Sequence, residues 1–446
     1  MASALRLAGA LLEVAMSEPT PSDKQHQAIA AIKDWFQHRS HEQQVFRLFG
    51  YAGVGKSTVL KFALDELGLE PHQSAKSNGS CVPGVVTATF TGKAALVLRR
   101  KGTPARTIHS LIYSVIEATE EEIQAAQERI AKAENDARQL AGFDRTTAEA
   151  AIEAMRQSVT AMKKPRFALN PTSDAAEARL IVLDEVSMVG EEMAKDLLSF
   201  GKPILVLGDP GQLPPIKGEG AFTRDAPDVM LTEIHRQAGE SAIIRLATNA
   251  REGRPIPYGA HDDHVWKIKR TDIAPEQLLR GGQVICGMNA TRLQLNMAMK
   301  RAAGFAGIYP EGRGEKIICL KNRHDVGLIN GQFVTLADIR DESPLSMSAM
   351  VTTEDGTAVP GRQWFYKGHF EDHVQLDPER QRRDWKQLKG LVELVWGYAI
   401  TCHKAQGSSY PTAVVWDDGL GRTPEARARW LYTAITRAEW GLVIVD

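Results

Sequence analysis

The sequence has few cysteines, and they are scattered. Its 446 residues include Cys81, Cys286, Cys319 and Cys402, which lie far apart with no paired spacing. Structural zinc sites and disulfide frameworks need cysteines at short or regular intervals, so we expect neither. The four side chains are instead typical of reduced thiols in a cytosolic protein.

The chain also lacks an excess of charge and a long apolar run. Its formal net charge is -1, so any surface for nucleic acid must be a local basic stripe. Glu13 interrupts the apolar stretch at residues 1–16, and no longer apolar segment follows it. We therefore interpret residues 1–19 as an N-terminal tail and expect no membrane association. Hydrophobic residues make up 43% of the chain, which is enough for two or three domains with buried cores.

A glycine-rich loop is present at residues 50–57, Gly-Tyr-Ala-Gly-Val-Gly-Lys-Ser, between a strand-like run and a helix-like run. Glycine is needed there because the backbone N–H groups must approach phosphate oxygens closely. The arrangement predicts a phosphate loop that binds a nucleoside triphosphate with Mg²⁺. Lys56 is expected to reach the β and γ phosphates, and Ser57 to bind the metal. The predicted nucleotide contacts from this loop are Gly50, Gly53, Val54, Gly55, Lys56, Ser57 and Thr58.

Strands and amphipathic helices continue to alternate after this loop, which predicts a parallel sheet with helices on both faces. Strand-like runs at 180–183 and 203–207 end in polar residues, at the edge where such sheets bind ligands. Asp184 is predicted to hold Mg²⁺, and Glu185 to deprotonate the attacking water. Gln212, in a proline- and glycine-rich loop, is predicted to donate to a phosphate oxygen or to that water. An exposed loop and a rigid turn are the structural alternatives.

Further segments carry a resemblance to a known family. They are 183–188 (LDEVSM), 208–215 (GDPGQLPP), 231–237 (LTEIHRQ), 398–409 (YAITCHKAQGSS) and 431–438 (LYTAITRA). With the phosphate loop, they resemble the motifs of the RecD-like branch of superfamily 1 helicases, in the family's order. The resemblance implies an ATP-dependent DNA helicase that translocates 5′ to 3′ on single-stranded DNA. It also implies a monomer that acts at junctions of single and double strands, in the bacterial cytoplasm or a phage-infected cell.

The resemblance assigns roles to residues outside the phosphate loop. Arg236 and Arg437 are expected to stabilise charge on the transferring phosphoryl group, as arginine fingers. Gln25, placed before a helix at 28–36, is expected to contact the adenine edge, and His235 to stack on its ring. Surface ion pairs for the arginines and a solvated position for Gln25 are the structural alternatives.

Contacts to nucleic acid are expected on the opposite side of the paired domains from ATP. Small hydroxyls, helix N-termini and single cations suit phosphate contacts without sequence readout. Phe90 stands where the family usually has proline, and it either stacks on a base or is buried at the end of its strand. The predicted contacts are Phe90, Thr91, Gly92, Lys93, Thr107, His109, Thr401, His403 and Lys404.

A helical insertion is expected at residues 113–177, where apolar residues recur every seven positions. Capping boxes predict that its helices begin at Thr119 and near Thr146, and Gly142 is expected to end the first helix. One predicted apolar seam is Ile116, Ile123, Ala126, Ile130, Ala133, Ala137 and Leu140, and the other is Ala148, Ile152, Met155, Val159 and Met162. A structural spacer and an arm that splits duplexes or docks a partner both remain open.

The expected fold is α/β, and the resemblance implies two RecA-like P-loop domains in tandem, with ATP in the cleft between them and a small SH3-like β insertion in the second. The predicted boundaries are 20–112 and 178–250 for the first RecA-like domain, 113–177 for the helical insertion, 251–335 and 392–446 for the second RecA-like domain, and 336–391 for a small SH3-like β insertion with a hairpin turn at 354–357. An ATP-controlled nucleic-acid clamp and an RNA helicase are the alternative functions.

Overall fold

The computed structural model describes residues 20–40, 42–70, 84–116, 119–162, 166–215, 218–233, 241–323, 325–374, 388 and 390–446. Its strands are β1 (Val45–Gly50), β2 (Val85–Thr89), β3 (Ala105–Thr107), β4 (Tyr113–Ile116), β5 (Arg166–Leu169), β6 (Leu180–Asp184), β7 (Ile204–Gly208), β8 (Val229–Leu231), β9 (Gly259–Ala260), β10 (Val265–Ile268), β11 (Gln283–Cys286), β12 (Ile317–Cys319), β13 (Phe333–Asp341), β14 (Ser346–Thr353), β15 (Ala358–Tyr366), β16 (Leu394–Trp396), β17 (Ala399–Thr401), β18 (Tyr410–Trp416) and β19 (Ala438–Val445).

The α-helices are α1 (Asp23–His38), α2 (Lys56–Leu67), α3 (Gly92–Arg100), α4 (Ile108–Ile112), α5 (Glu120–Ala137), α6 (Gly142–Met162), α7 (Asp174–Glu177), α8 (Glu191–Ser199), α9 (Ala242–Arg251), α10 (Pro275–Arg280), α11 (Asn289–Ala302), α12 (Gly368–Glu371), α13 (Cys402–Ala405) and α14 (Pro424–Ile435). Short 3-10 helices cover Val186–Met188 and Arg270–Asp272.

The first sheet has six strands in the order β3-β2-β6-β7-β1-β8, and its pairs are parallel. Successive residues of a strand point to opposite faces, so Leu205 and Val206 lie in separate apolar cores. Helices α1 and α2 complete one core, and α4 and α8 the other. Burial on both faces explains why β6 and β7 are almost entirely apolar. Because β6, β7 and β1 are neighbours, the loops that follow them meet at one edge of the sheet.

The second sheet has the order β17-β11-β18-β19-β10-β9, and its pairs are parallel except that between β9 and β10. Helices α9 and α14 cover one face, where Leu246 and Trp430 share a core with Val415. We expected the first domain to extend to Ala250. The structure differs, because the buried face of α9 packs against the second sheet.

A third sheet is antiparallel, with five strands in the order β15-β14-β13-β12-β16. It packs on the other face of the second sheet, and Trp396 and Val414 belong to one core. The turn at 354–357 joins β14 to β15 as expected, with Gly356 at φ 82°. The predicted start of the second RecA-like segment at residue 392 is wrong, since Leu394 in β16 pairs with Cys319 in β12 of the antiparallel sheet. The antiparallel unit is therefore larger than residues 336–391.

Helices α5 and α6 form a hairpin on the two-stranded ribbon of β4 and β5. Helices α5 and α6 pack together, with an Arg156–Glu134 ion pair of 2.8 Å, and β4 pairs with β5. The capping box at Thr119 is present, but Thr146 lies inside α6, which begins at Gly142. The hydroxyl of Thr146 donates to the Gly142 carbonyl instead of capping the helix. Gly142 was expected to end the first helix, but α5 ends at Ala137 and Gly142, with φ 60°, is instead the first residue of α6.

The predicted seams of the hairpin hold only in part. Ala137, Ile152 and Val159 are buried, whereas Leu140 and Met155 are 41% and 43% exposed. Ile116 does not belong to a helix, because it lies before the Thr119 cap in β4 and is 53% exposed. The seven-residue spacing of apolar residues thus extends beyond the N-terminus of α5 and into β4.

Two further absences hold within the part of the chain that the structure describes. No helix there combines the length and the hydropathy needed to cross a bilayer. No three His, Cys, Asp or Glu side chains among those residues come together as a metal site. Cys286, Cys319 and Cys402 are buried free thiols, and Cys81 lies outside the described residues.

Thr119→Ala is expected to destabilise α5 by about 1 kcal/mol, because it removes a capping hydroxyl. Thr119 Oγ accepts the Glu122 N–H at 3.2 Å, and Glu122 accepts the Thr119 N–H at 2.9 Å. Hydrogen exchange of residues 120–130 should accelerate about fivefold. Thr146→Ala is the matched control, with an expected effect below about 0.5 kcal/mol. Equal exchange in the two variants would contradict the capping assignment.

Candidate nucleotide site and strand-facing loops

The phosphate loop joins β1 to α2 at the edge of the first sheet. Gly53 and Gly55 both have φ 80°, which L side chains rarely adopt. A Cβ on Gly50 would lie 2.5 Å from the Val54 side chain, so the loop packs too tightly for a larger residue there. Ser57 and Thr58 lie in the first turn of α2, where free N–H groups point out of the helix. This backbone suits an anion.

Lys56 is held by the loop itself. Its Nζ donates to the carbonyls of Gly50 at 2.7 Å and Tyr51 at 3.1 Å. It also acts electrostatically on Asp184 and Asp209, because it lowers the pKa of both carboxyls against the effect of their burial. The ammonium thus lies among the loops that follow β1, β6 and β7.

Gln25 differs from its expected setting. It lies inside the first turn of α1, not before the helix, and its Oε1 accepts the Ser22 N–H at 3.0 Å in a capping box. Its Nε2 donates to the Val54 carbonyl at 3.0 Å, and the side chain is 3% exposed. Ser22 and Gln25 have the spacing of a capping box, which could have predicted this position. In this arrangement Gln25 braces the phosphate loop.

The acidic pair ends β6. Burial, reinforced by the Glu185 carboxylate, raises the pKa of Asp184 to about 6, and Lys56 opposes the shift. Asp184 Oδ1 accepts the Glu185 N–H at 2.8 Å. Glu185 has φ 55°, a left-handed conformation that is uncommon outside glycine and often marks functional positions.

Gln212 lies in the loop after β7 and is 7% exposed. Its Oε1 has no hydrogen-bond partner within the described residues. Asp209 fixes the start of this loop, since its Oδ1 accepts the Gly211 N–H at 2.9 Å. Burial raises the pKa of Asp209. A buried amide oxygen of this kind is available to a ligand in the site.

Three side chains of the second domain contact the phosphate loop and the loop after β7, and they were not predicted from the sequence. The hydroxyl of Tyr432 on α14 accepts the Ala52 N–H at 2.8 Å and donates to Asp209 Oδ2 at 2.6 Å. Thr433 accepts the Leu213 N–H at 2.9 Å, and Gln406 donates to the Leu213 carbonyl at 3.0 Å. All three residues lie within the motifs at 398–409 and 431–438, and this position in the sequence could have identified them.

The predicted arginine fingers have different outcomes. Arg437 is 6% exposed, and its guanidinium donates to the carbonyls of Thr433 at 3.0 Å and Ser408 at 3.1 Å, both in the second domain. Arg236 and His235 lie outside the described residues. A basic residue that was not predicted, Arg251, lies with Cζ 3.5 Å from the ring centroid of Tyr51.

The predicted threonine contacts are helix N-caps. Thr91 accepts the Ala94 N–H at 3.2 Å, Thr107 that of Ser110 at 3.1 Å, and Thr401 that of Lys404 at 3.4 Å. The two domains meet here, since a Cβ on Gly407 would lie 2.6 Å from Thr91 Oγ. The structure therefore brings the first-domain and second-domain threonines Thr91 and Thr401 to one region.

Lys93 differs from the expectation that it faces nucleic acid. Its Nζ lies 3.7 Å from Glu354 of the antiparallel sheet and 4.6 Å from the ring centroid of Phe333. Burial lowers the pKa of Lys93, and Glu354 opposes that shift. Gly92 is equally enclosed, because a Cβ there would lie 2.3 Å from Ile329. In this arrangement Lys93 fastens α3 to the antiparallel sheet.

Three of the remaining predicted nucleic-acid contacts, His109, His403 and Lys404, are titratable side chains whose charged forms are disfavoured by burial. Burial lowers the pKa of His109 and His403, and it lowers that of Lys404 to about 8. Lys404 donates to Asn330 Oδ1. Phe90 is half-buried against the core that α4 and α8 complete, and its ring centroid lies 6.2 Å from that of His109. Core packing of Phe90 is thus partly present, and stacking on a base stays a prediction.

Family models match this arrangement. A model described as an AAA domain matches residues 22–266, which include the phosphate loop, the acidic pair and Gln212. That is more than half of the 446 residues. The chain belongs to the AAA domain family. A model described as a UvrD-like helicase C-terminal domain matches residues 397–445 of this AAA-domain chain, which include Gln406 and Tyr432.

Curated relatives confirm the resemblance to the RecD-like branch of superfamily 1. The AAA-domain chain is 28% identical over 280 residues to the ATP-dependent RecD2 DNA helicase of Deinococcus radiodurans, over 58% of this chain and 35% of that protein. It is 24% identical over 284 residues to the ATP-dependent DNA helicase PIF1 of Candida albicans, over 49% of this chain and 30% of that protein. The match thus spans about a third of each relative's length.

Solved structures give a more distant likeness to this AAA-domain chain. The crystal structure of Pif1 helicase from Bacteroides in complex with ADP-AlF3 and ssDNA is 17% identical, with a TM-score of 0.48 over 96% of this chain and 92% of that one. The crystal structure of Pif1 helicase from Candida albicans is 19% identical, with a TM-score of 0.46 over 96% and 94%.

Asp184→Asn is expected to stabilise the protein at neutral pH in a chelating buffer without nucleotide. The folded-state pKa of about 6 exceeds the ordinary value of 3.8, so the folded protein binds this proton more tightly than the unfolded chain. Stability therefore falls as pH rises from 4 to 6. The variant removes this loss, about 3 kcal/mol, and keeps an acceptor for the Glu185 N–H.

Thermal unfolding at pH 7.5 and at pH 4.5 measures the effect, which should be about 3 to 6 °C at the higher pH and about a third as large at the lower. Asp355→Asn is the control with the opposite sign, because the Thr353 hydroxyl lowers the pKa of Asp355 to about 2. It should destabilise at both values. A stabilisation by Asp184→Asn that is independent of pH would contradict the assignment.

Proposed function

We propose that this chain is an ATP-driven DNA helicase and single-stranded DNA translocase that moves 5′ to 3′. The observation that carries the proposal is that α14 of the second sheet contacts the loops that surround the nucleotide site, through Tyr432 and Thr433. Hydrolysis at a site built from two domains can move one against the other, as a motor requires. The two relatives, both ATP-dependent DNA helicases, support this function.

The residues around the phosphate loop suit phosphoryl transfer to water. Lys56 would offset charge on the β and γ phosphates, and Glu185 would accept a proton from the attacking water. Gln212, with its unpartnered buried oxygen, would orient that water. Arg437 and Arg236 would stabilise the developing charge once the cleft closes.

Ser57 and Asp184 fit a Mg²⁺ ion bound with ATP. Asp184 is a half-buried carboxylate whose pKa is raised by desolvation, so a cation beside it would restore its ionised form. The Ser57 hydroxyl follows the phosphate loop at the start of α2. Bound Mg²⁺ would supply charge neutralisation for the phosphates.

We propose that the two parallel sheets are RecA-like domains. The first comprises 20–112 and 178–233, and the second begins with α9 because that helix packs on the second sheet. Residues 113–177 remain the helical insertion. The SH3-like assignment for 336–391 extends to the antiparallel sheet as a whole, from β12 to β16.

We place the strand path over the N-termini of α3, α4 and α13, where Thr91, Thr107 and Thr401 lie. The aromatic rings beside this path form a group. The ring centroid of His109 lies 6.2 Å from Phe90, 5.6 Å from Tyr113 and 5.9 Å from Phe167. Phe167 is 60% exposed on the β4–β5 ribbon, so its ring is accessible to an unpaired base.

Phe167→Ala is expected to weaken single-strand binding by about 1 kcal/mol or more, because a base would lose its stacking partner. Thermal stability should change little, since the ring is mostly exposed. Fluorescence anisotropy with a labelled oligodeoxythymidine measures the affinity. Trp440→Ala, which removes a ring that is 59% exposed on the second sheet, is the matched control. Equal affinities of Phe167→Ala and wild type would remove Phe167 from the path.

The proposed function is tested by unwinding of duplexes that carry a 5′ tail, a 3′ tail or no tail, made in DNA and in RNA. We expect ATP-dependent unwinding of the 5′-tailed DNA. Strand-stimulated ATP hydrolysis should fall at least about a hundredfold in Glu185→Gln. Glu191→Gln is the control, because Glu191 is an exposed carboxylate on α8 paired with Arg224.

Each alternative gives a distinct result in this test. ATP-dependent strand binding without unwinding would identify a clamp and overturn the helicase proposal. Unwinding of RNA alone would identify an RNA helicase. Preference for a 3′ tail would overturn the proposed polarity. Normal turnover by Glu185→Gln would overturn the active-site assignment.

A further inference from the structure

A tyrosine of the second domain binds the phosphate loop directly. The hydroxyl of Tyr432 accepts the Ala52 N–H at 2.8 Å, and the residue is 2% exposed. Its ring meets that of Tyr51 edge to face, with centroids 6.3 Å apart. A buried hydroxyl that receives a backbone N–H fixes the position of both groups, because either would be left unpaired by separation. The loop that cradles phosphate is thus tied to α14.

The same hydroxyl binds the loop that carries Gln212. It donates to Asp209 Oδ2 at 2.6 Å, a short contact of the kind made by a charged acceptor. A Cβ on Gly211 would lie 2.9 Å from the Tyr432 ring, so this loop packs tightly against that ring. Asp209 also accepts the Gly211 N–H, one residue before Gln212. The position of Gln212 is therefore set by Tyr432 through Asp209.

The neighbouring contacts across the cleft differ from this one. Thr433 and Gln406 both bind Leu213, and those hydrogen bonds do not involve the phosphate loop. Tyr432 joins both loops through one oxygen that accepts from one and donates to the other. A phenylalanine would keep the ring packing and lose both bonds, so the two contributions can be separated by experiment.

We infer that Tyr432 is a positioning residue that couples the occupancy of the phosphate loop to α14 and to Gln212. Phosphates draw on the backbone N–H groups of the loop, and a shift of Ala52 moves its hydroxyl partner. That hydroxyl is hydrogen-bonded to Asp209 and belongs to a residue of helix α14, so a shift of the hydroxyl moves both. The inference deepens the proposed function, and it rests on that function for the identity of the nucleotide.

The test is hydrogen–deuterium exchange of the full chain with and without Mg²⁺ and adenylyl imidodiphosphate, in the absence of nucleic acid. In wild type, the analogue should slow exchange in 56–67, 209–215 and 424–436. In Tyr432→Phe, the response of 209–215 and 424–436 should fall about fivefold or more, while that of 56–67 stays within about twofold. Thr433→Val, which breaks the Leu213 bond, is the control and should keep the response.

Two results would overturn the inference. One is a full response in 209–215 and 424–436 of Tyr432→Phe. The other is loss of the response in 56–67 as well, which would show that the hydroxyl supports nucleotide binding rather than coupling. If Tyr432→Phe does not fold, Asp209→Asn replaces it. Asp209 accepts one hydrogen bond from the Gly211 N–H and one from the Tyr432 hydroxyl, and the single amide oxygen of asparagine can keep one of them. An intermediate response is then expected, and a wild-type response would overturn the inference.

A second readout separates this inference from the proposed function. Stimulation of ATP turnover by single-stranded DNA should fall about tenfold in Tyr432→Phe, with the KM for ATP within about threefold of wild type. Wild-type protein that shows the exchange response but neither unwinds nor responds to DNA would refute the proposed function and leave the coupling intact. Wild-type protein that unwinds, together with a Tyr432→Phe variant that couples normally, would refute the coupling alone.

Discussion

One ammonium among buried carboxylates is the interaction on which the nucleotide site depends. Lys56 opposes the pKa rise that burial causes in Asp184 and in Asp209. These groups meet because β6, β7 and β1 are adjacent and parallel, so their carboxyl ends lie at one edge. Without that strand order the loops would be separate, and the carboxylates would be buried without a nearby cation.

The second domain completes this edge through polar contacts. Tyr432, Thr433 and Gln406 bind groups on loops of the first sheet, and most of the atoms involved are buried. Hydrogen bonds of this kind are individually modest but costly to leave unmade. The relative position of the two sheets is therefore sensitive to small shifts in the loops, which suits a cleft that must open and close.

Much of the first sheet and its loops could be predicted from the sequence, because those signals are local. A phosphate loop, an apolar strand and the acidic residues after it lie within a few positions of one another. Lys93 could not be placed in this way, since its partner Glu354 lies in a different sheet. Ile116 was misplaced because a heptad pattern does not show where a helix begins, and Thr146 because the capping-box spacing also occurs inside a helix. The packing of α9 on the second sheet likewise depends on tertiary contacts that an apolar face alone does not specify.

The backbone of Glu185 has a consequence for how this protein could change. A left-handed residue other than glycine is strained by roughly 1 to 2 kcal/mol, and glycine or asparagine would relieve that strain at once. Selection for heat resistance alone would thus favour loss of this carboxylate. Lineages or engineered libraries selected only for stability should accumulate variants that keep the fold but have lost catalytic activity. The persistence of glutamate at this position would then be evidence of selection for its catalytic role.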